Sequence, residues 1–235
     1  MFEEKLPEKV DLGEDIIMNE VEIINPQLDH LPVVLMLDAS GSMEGEPINE
    51  LNNGLNQLFK EFLADNTISK CVDLMIISYG GGVNVEVPFT TLENIQFKKE
   101  FVADGGTPMA EATFKAIDEV KNLYKYYRKE GINTYPCIVI NITDGKPNSS
   151  DSLLNEAKET IINYESNLHL LRWNNLGTRN ANMNFLNSYG VRKAKLLSEV
   201  RFLDLLKYVK IPCPSPIIRS EPEIVELPDI NWIDE

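Results

Sequence analysis

Asp38-Ala39-Ser40-Gly41-Ser42 closes the apolar run Val33-Val34-Leu35-Met36-Leu37. One carboxylate and two hydroxyls, all hard oxygen donors, therefore stand where a buried strand ends. In open α/β sheets that is where ligands bind. Distant segments add two more donors. Thr107 lies in Gly105-Gly106-Thr107-Pro108, at the start of a helical pattern, and Asp144 follows the apolar run Cys137–Ile142. Hydroxyls, carboxylates and water suit Mg²⁺, Mn²⁺ or Ca²⁺ rather than Zn²⁺. The sequence has two histidines, His30 and His169, so no Cys/His cluster competes. Two carboxylates and three neutral hydroxyls leave a divalent ion able to accept an anionic ligand, and Mg²⁺ commonly keeps positions open for one. The pattern reads as a cation site that takes a partner's carboxylate or phosphate through the metal.

Each piece has a plainer reading. Ser40 or Ser42 could cap a helix or stabilise a turn, Thr107 could be an N-cap, and Asp144-Gly145 could be a turn. The conjunction of all three segments, in order on an α/β pattern, favours the metal. In an extended turn, positions 38, 40 and 42 would face one way, because the side-chain period of extended backbone is two.

The elements that must position these donors follow from periodicity. Val33–Asp38 is a continuous apolar run, as expected of a strand covered on both faces, and Val72–Tyr79 is a second strand. Pro47 suits a first helical turn, and Ile48, Leu51, Leu55, Leu58, Phe59 and Phe62 keep helical spacing to about Ala64. Gly80-Gly81-Gly82 supplies a turn, after which Val83, Val85 and Val87 alternate as in a half-exposed hairpin strand. A helix is expected from Thr107-Pro108 to about Arg128, with Ala112, Ala116, Ile117, Val120, Leu123 and Tyr124 facing the core. A strand follows at Cys137–Ile142, a helix at 151–164, a strand at 168–171 containing His169, a short helix near 181–187, a strand near 194–199 and a helix at 201–210. This alternation predicts an α/β fold: a doubly wound, mostly parallel central sheet with one antiparallel edge strand and helices on both faces. Residues 31–210 form the domain, 1–30 an acidic arm, and 211–235 a Pro-rich acidic tail.

Charge narrows the partners. The chain of 235 residues carries a formal charge of −15. Residues 1–30 hold nine acids and two lysines, and 219–235 hold six acids and one arginine, so the ends account for −7 and −5 and the body for −3. Phosphate binding needs a basic surface, so nucleic acid is not expected as a partner. The ends could serve solubility or dock on a basic partner. No apolar run approaches the roughly 20 residues of a membrane span, and the first residues lack a signal-peptide pattern. No membrane association and a cytoplasmic location are the expectations. Cys71, Cys137 and Cys213 are too few and too irregular for a disulfide framework, and Cys71 and Cys137 read as buried thiols.

Enzyme chemistry finds little support. Asp38 follows a strand as a phosphoaspartate nucleophile would, but Ser40 occupies the place where a second carboxylate would be wanted. Lys146 reads as a surface loop lysine. His169 sits in an apolar run, and no G-x-S-x-G elbow, phosphate loop or dinucleotide loop is present. We therefore expect no catalytic residues.

Leu37-Asp38-Ala39-Ser40-Gly41-Ser42-Met43, Gly106-Thr107-Pro108 and Ile142-Thr143-Asp144-Gly145 resemble the three motifs of von Willebrand factor type A (VWA) domains. Their metal-ion-dependent adhesion site uses this D-x-S-x-S, T, D set. The resemblance covers about residues 31–210. It implies that Ser40, Ser42 and Thr107 ligate the metal, that Asp38 and Asp144 act mainly through bound water, and that a partner's acidic group completes the shell. A narrower resemblance, in Met43–Ile48, Ile77–Gly80 and Glu226–Trp232, is to compact bacterial VWA proteins of the tellurium-resistance type. It implies a stress-response or defence setting beside a PP2C-type phosphatase and a serine/threonine kinase. A helper subunit of an AAA+ ATPase would show the same site. Leu171-Arg172-Trp173-Asn174-Asn175 departs from that group, where a more apolar strand end is followed by glycine.

Overall fold

The computed structural model describes residues 27–200. The acidic arm up to residue 26, the helix expected at 201–210, Cys213 and the acidic tail lie outside the described residues.

Among the described residues, six strands form one sheet in the order β3-β2-β1-β4-β5-β6. They are β1 (Leu31–Asp38), β2 (Val72–Tyr79), β3 (Val83–Thr91), β4 (Cys137–Thr143), β5 (Leu171–Gly177) and β6 (Lys195–Leu196). β1 pairs in parallel with β2 and β4, β4 with β5 and β5 with β6, and β3, at an edge, is antiparallel. The helices are α1 (Glu46–Leu63), α2 (Asn66–Cys71), α3 (Met109–Glu130), α4 (Asp151–Ile162) and α5 (Met183–Ser188).

β1 shows why its run is apolar throughout. Leu31, Val33, Leu35 and Leu37 pack with Leu51, Leu55, Leu58 and Phe62 of α1. Val34 and Met36 point the other way, into a second core with Ala112, Ala116 and Val120 of α3 and Ile161 of α4. Successive side chains leave a strand on opposite faces, so helices cover both faces and every residue of β1 is buried.

At the amino end of the sheet the buried Asp73 is held by three elements. Thr91 Oγ1 donates to its Oδ1 at 2.8 Å, Tyr127 donates to its Oδ2, and His30 Nδ1 lies 2.7 Å from the same oxygen. A buried carboxylate is tolerable when so many groups satisfy it. The cluster ties the start of β1 to β2, β3 and the end of α3.

Three expectations are corrected. The fifth strand runs Leu171–Gly177 rather than 168–171. His169 lies before it in a left-handed conformation (φ 54°), which no strand residue adopts. The strand therefore continues through Arg172–Asn175 and exits at Leu176-Gly177, so the glycine that seemed missing ends the strand. The strand expected near 194–199 is two residues long and passes into a short 3₁₀ turn. The six-residue α2 was not anticipated; Asp65 caps it by accepting from the Thr67 and Ile68 N–H groups. Among the described residues, no helix is long and apolar enough to cross a membrane.

Candidate metal centre

Asp38 is the last residue of β1, and the register Leu37↔Ile142 sets it beside Thr143 of β4. Thr143 Oγ1 donates to Asp38 Oδ2 at 2.5 Å, and the Ser40 N–H donates to Oδ1 at 2.9 Å. Asp38 is fully buried. Burial pushes its carboxyl up to about 6, against the pull of the hydrogen bonds from Ser40 and Thr143. The negative charge on this carboxylate is thus held at a cost, which a cation would relieve.

Ser40 and Ser42 do not converge by extended alternation. The chain leaves β1 and enters a 3₁₀ turn, Gly41–Met43, with the Met43 N–H donating to Ser40 O at 2.9 Å. Met43 is buried and anchors that turn. The turn folds Ser42 back over Ser40, and the two Oγ atoms lie 3.2 Å apart, one buried and one exposed.

Thr107 is buried in the loop before α3, and its side chain does not cap that helix: Pro108 is the N-cap and no side-chain cap bond forms. The plain N-cap reading therefore fails here. Asn148 holds the Thr107 backbone from both sides, accepting from its N–H at 2.9 Å and donating to its carbonyl at 3.1 Å. Asp144 is buried just past β4. Lys146 donates to it twice, from its backbone N–H to Oδ1 at 3.2 Å and from Nζ to Oδ2 at 2.9 Å. Lys146 is exposed as expected of a loop lysine, but it is also ion-paired.

Backbone hydrogen bonds lace these loops together. Ala39 N–H donates to Tyr79 O, Asp104 N–H to Ala39 O, Gly41 N–H to Gly105 O and Gly81 N–H to Gly106 O, all within 2.8–3.0 Å. The loops after β1 and β2 and before α3 thus form one surface at the carboxyl ends of β1 and β4. All five donors expected from the sequence, Asp38, Ser40, Ser42, Thr107 and Asp144, stand on it or at its margin. Gly105 makes the lacing possible: it is left-handed (φ 71°), and a Cβ there would lie 2.4 Å from Gly81 Cα.

The residue types fit a hard divalent cation. They offer carboxylate and hydroxyl oxygens, and among the described residues no group of three or more His, Cys, Asp and Glu could hold a metal. The Lys146 ammonium on Asp144 is an internal stand-in, showing that this edge accommodates positive charge. Three contributors went unnoticed in the sequence. Thr143 orients Asp38, and its only signal was its place next to Asp144. Asn148 clamps Thr107 across 41 residues, with no local signal. Beneath the site, Tyr79 donates to Asn141 (2.6 Å), which donates to Asn175 (3.0 Å), a buried polar chain through strand positions that apolar patterning passes over.

The fold agrees with the comparisons. Residues 33–146 match the family model described as von Willebrand factor type A domain, from early in β1 to just past Asp144. That stretch, just under half of the chain, is similar to a VWA domain. Among solved structures, the manganese-loaded TRAP protein of Plasmodium vivax is similar, with a TM-score of 0.51 and 21% identity over 68% of this chain and 61% of that one. The ArnB paralogue VWA2 of Sulfolobus acidocaldarius also gives a TM-score of 0.51, at 17% identity, over 77% of this chain and 45% of that one. The chain thus spans less than two thirds of either structure, and the likeness is one of fold. No curated protein matches the sequence.

Proposed function

We propose that the edge formed by Asp38, Ser40, Ser42, Thr107 and Asp144 is a metal-ion-dependent adhesion site that binds an acidic group of a protein partner through Mg²⁺, Mn²⁺ or Ca²⁺. The observation that carries this reading is the lacing of three separate loops, which gathers hydroxyl and carboxylate donors at one sheet edge. Ser40, Ser42 and Thr107 would hold the ion, with Asp38 and Asp144 orienting its bound water. The ion would supply a positive charge with an open coordination position. Lys146, whose ammonium pairs with Asp144 at 2.9 Å, would stand as a second cation beside the partner's acid.

A binding role is favoured over catalysis. Asp38 is buried and engaged by Ser40 and Thr143, which suits a positioned anion rather than a nucleophile awaiting substrate. His169 stands before β5, at the opposite end of the strands, and cannot serve this edge as a base. The proposed setting is a cytoplasmic module of bacterial stress-response or defence signalling, with a PP2C-type phosphatase and a serine/threonine kinase as partners. It rests on the resemblance of the sequence motifs.

Capture by the tagged chain in Mg²⁺, with and without EDTA, tests the reading. The partner should be retained in Mg²⁺, released by EDTA, and missed by Ser40→Ala/Ser42→Ala. Capture that ignores both EDTA and the double substitution would move the interface elsewhere. The identity of the captured protein separates the kinase and phosphatase setting from an AAA+ ATPase.

A further inference from the structure

At the amino ends of β4 and β5, far along the sheet from Asp38, lies a cavity of about 100 Å³. Pro136, Glu165, His169, Leu171, Arg172 and Arg192 line it. It is well below the ~300 Å³ at which drug-sized ligand pockets begin, yet larger than the ~30 Å³ share of a single water. It has room for a small ion.

Its walls are irregular backbone. After α4 the chain passes through a π-helical turn, Asn163–Asn167, which turns Glu165 inward until only 7% of it is exposed. His169 follows in the left-handed region (φ 54°), where non-glycine residues are strained. Such turns recur at functional sites.

Its polar atoms are incompletely matched. Glu165 Oε2 accepts from the Trp173 N–H at 3.1 Å. Its Oε1 forms an ion pair with Arg192 Nε at 2.7 Å, off the line of a hydrogen bond. Among the described residues the buried Arg172 Nε has no hydrogen-bond partner, and Arg172 has no acidic partner. Glu165 and Arg192 thus pair with each other in one small cavity, and among the described residues the Arg172 Nε beside them has no partner. Buried polar groups normally find partners, so the Arg172 guanidinium calls for one. Two arginines against one glutamate leave the cavity net positive in a chain of charge −15.

We propose that this cavity is a phosphate site, separate from the metal centre. The Arg172 and Arg192 N–H groups donate to phosphate oxygens, as guanidinium groups commonly do. Glu165 Oε1 accepts from the protonated oxygen that phosphate retains near neutral pH. Sulfate has no such hydrogen and meets the Glu165 carboxylate as like charge against like charge. The site therefore selects phosphate over sulfate by about tenfold or more, the worth of one charge-assisted hydrogen bond.

Calorimetric titration of the full chain with inorganic phosphate and with sulfate tests this. EDTA is present throughout, so no bound metal can capture either anion. The expected result is one bound phosphate per chain, with sulfate weaker by about tenfold or more. Arg172→Gln should abolish binding, and Arg172→Lys, which keeps the charge but loses the fork, should weaken it. Glu165→Gln should bring phosphate and sulfate level, because the amide also donates. Ser40→Ala/Ser42→Ala should bind phosphate as the unaltered chain does. An unchanged melting temperature shows that Arg172→Gln is folded. If it is not, the Arg172→Lys and Glu165→Gln titrations decide. No phosphate binding, binding that survives loss of the arginine fork, or equal affinity for sulfate would each overturn the proposal.

Discussion

Asp38→Asn raises the melting temperature of the metal-free protein at pH 7.5 and removes its response to Mg²⁺ or Mn²⁺. The cause is the buried carboxyl of Asp38, pushed up to about 6 by burial from an ordinary value of 3.8. Between those values the folded chain holds a proton that the unfolded chain has released. Stability from this group is therefore greatest at acid pH and is lost as pH rises through about 6. A gap of about two units, at 1.36 kcal/mol each, amounts to about 3 kcal/mol at neutral pH. Asparagine keeps an oxygen for the Ser40 N–H and carries no charge. Allowing for an imperfect amide bond to Thr143, the gain is about 2 kcal/mol, or about 4–8 °C for a chain of this size. The unaltered protein should instead gain stability from the metal, because a ligand of the native state stabilises it. Melting curves from pH 5 to 8, with and without metal, check both halves. A metal-free Asp38→Asn protein no more stable than the parent at pH 7.5 would contradict the buried-charge account.

The second large effect is expected at Gly105. In Gly105→Ala the new Cβ would lie 2.4 Å from Gly81 Cα and 2.5 Å from Gly81 N, both backbone atoms that cannot rotate away. The residue is also left-handed (φ 71°), which costs an L side chain about 1–2 kcal/mol by itself. Overpacking adds about 1–3 kcal/mol, so the total is about 3 kcal/mol or more. The damage falls on the bonds from Gly41 N–H to Gly105 O and from Gly81 N–H to Gly106 O, which hold the donor loops together. The metal response should therefore weaken along with stability. Gly131→Ala is the control: it shares the left-handed conformation (φ 68°), but nothing lies within 4 Å of its Cβ. It should lose only about 1–2 kcal/mol and keep the metal response. Urea unfolding of the two variants separates crowding from backbone strain. Equal losses would mean that the loops are not laced at Gly105.

Much of this was readable in the sequence, for identifiable reasons. β1, β2 and β4 announce themselves because a strand buried on both faces is mostly apolar. Asp38, Ser40, Ser42, Thr107 and Asp144 stood out because oxygen donors at such edges are chemically specific. What escaped was set by tertiary context. β5 was misplaced because Asn174 and Asn175 break its apolar pattern, although Asn175 is buried and donates to the carbonyls of Leu186 and Tyr189. Periodicity cannot foresee a buried amide whose partners lie in another element. The 3₁₀ turn that joins Ser40 to Ser42, and the Asn148 clamp on Thr107, likewise depend on neighbours distant in sequence. The Glu165 cavity was invisible because its walls come from a π-helical turn, a left-handed histidine and a loop arginine.

The central claim is that one divalent ion is held by hydroxyls at the carboxyl edge of β1. Mn²⁺ titration followed by electron paramagnetic resonance, in which bound ion loses the sharp signal of the free aquo ion, measures this directly. One equivalent should bind to the unaltered chain, and none should bind to Ser40→Ala/Ser42→Ala at the same concentrations. One equivalent bound with undiminished affinity by the double variant would contradict the account.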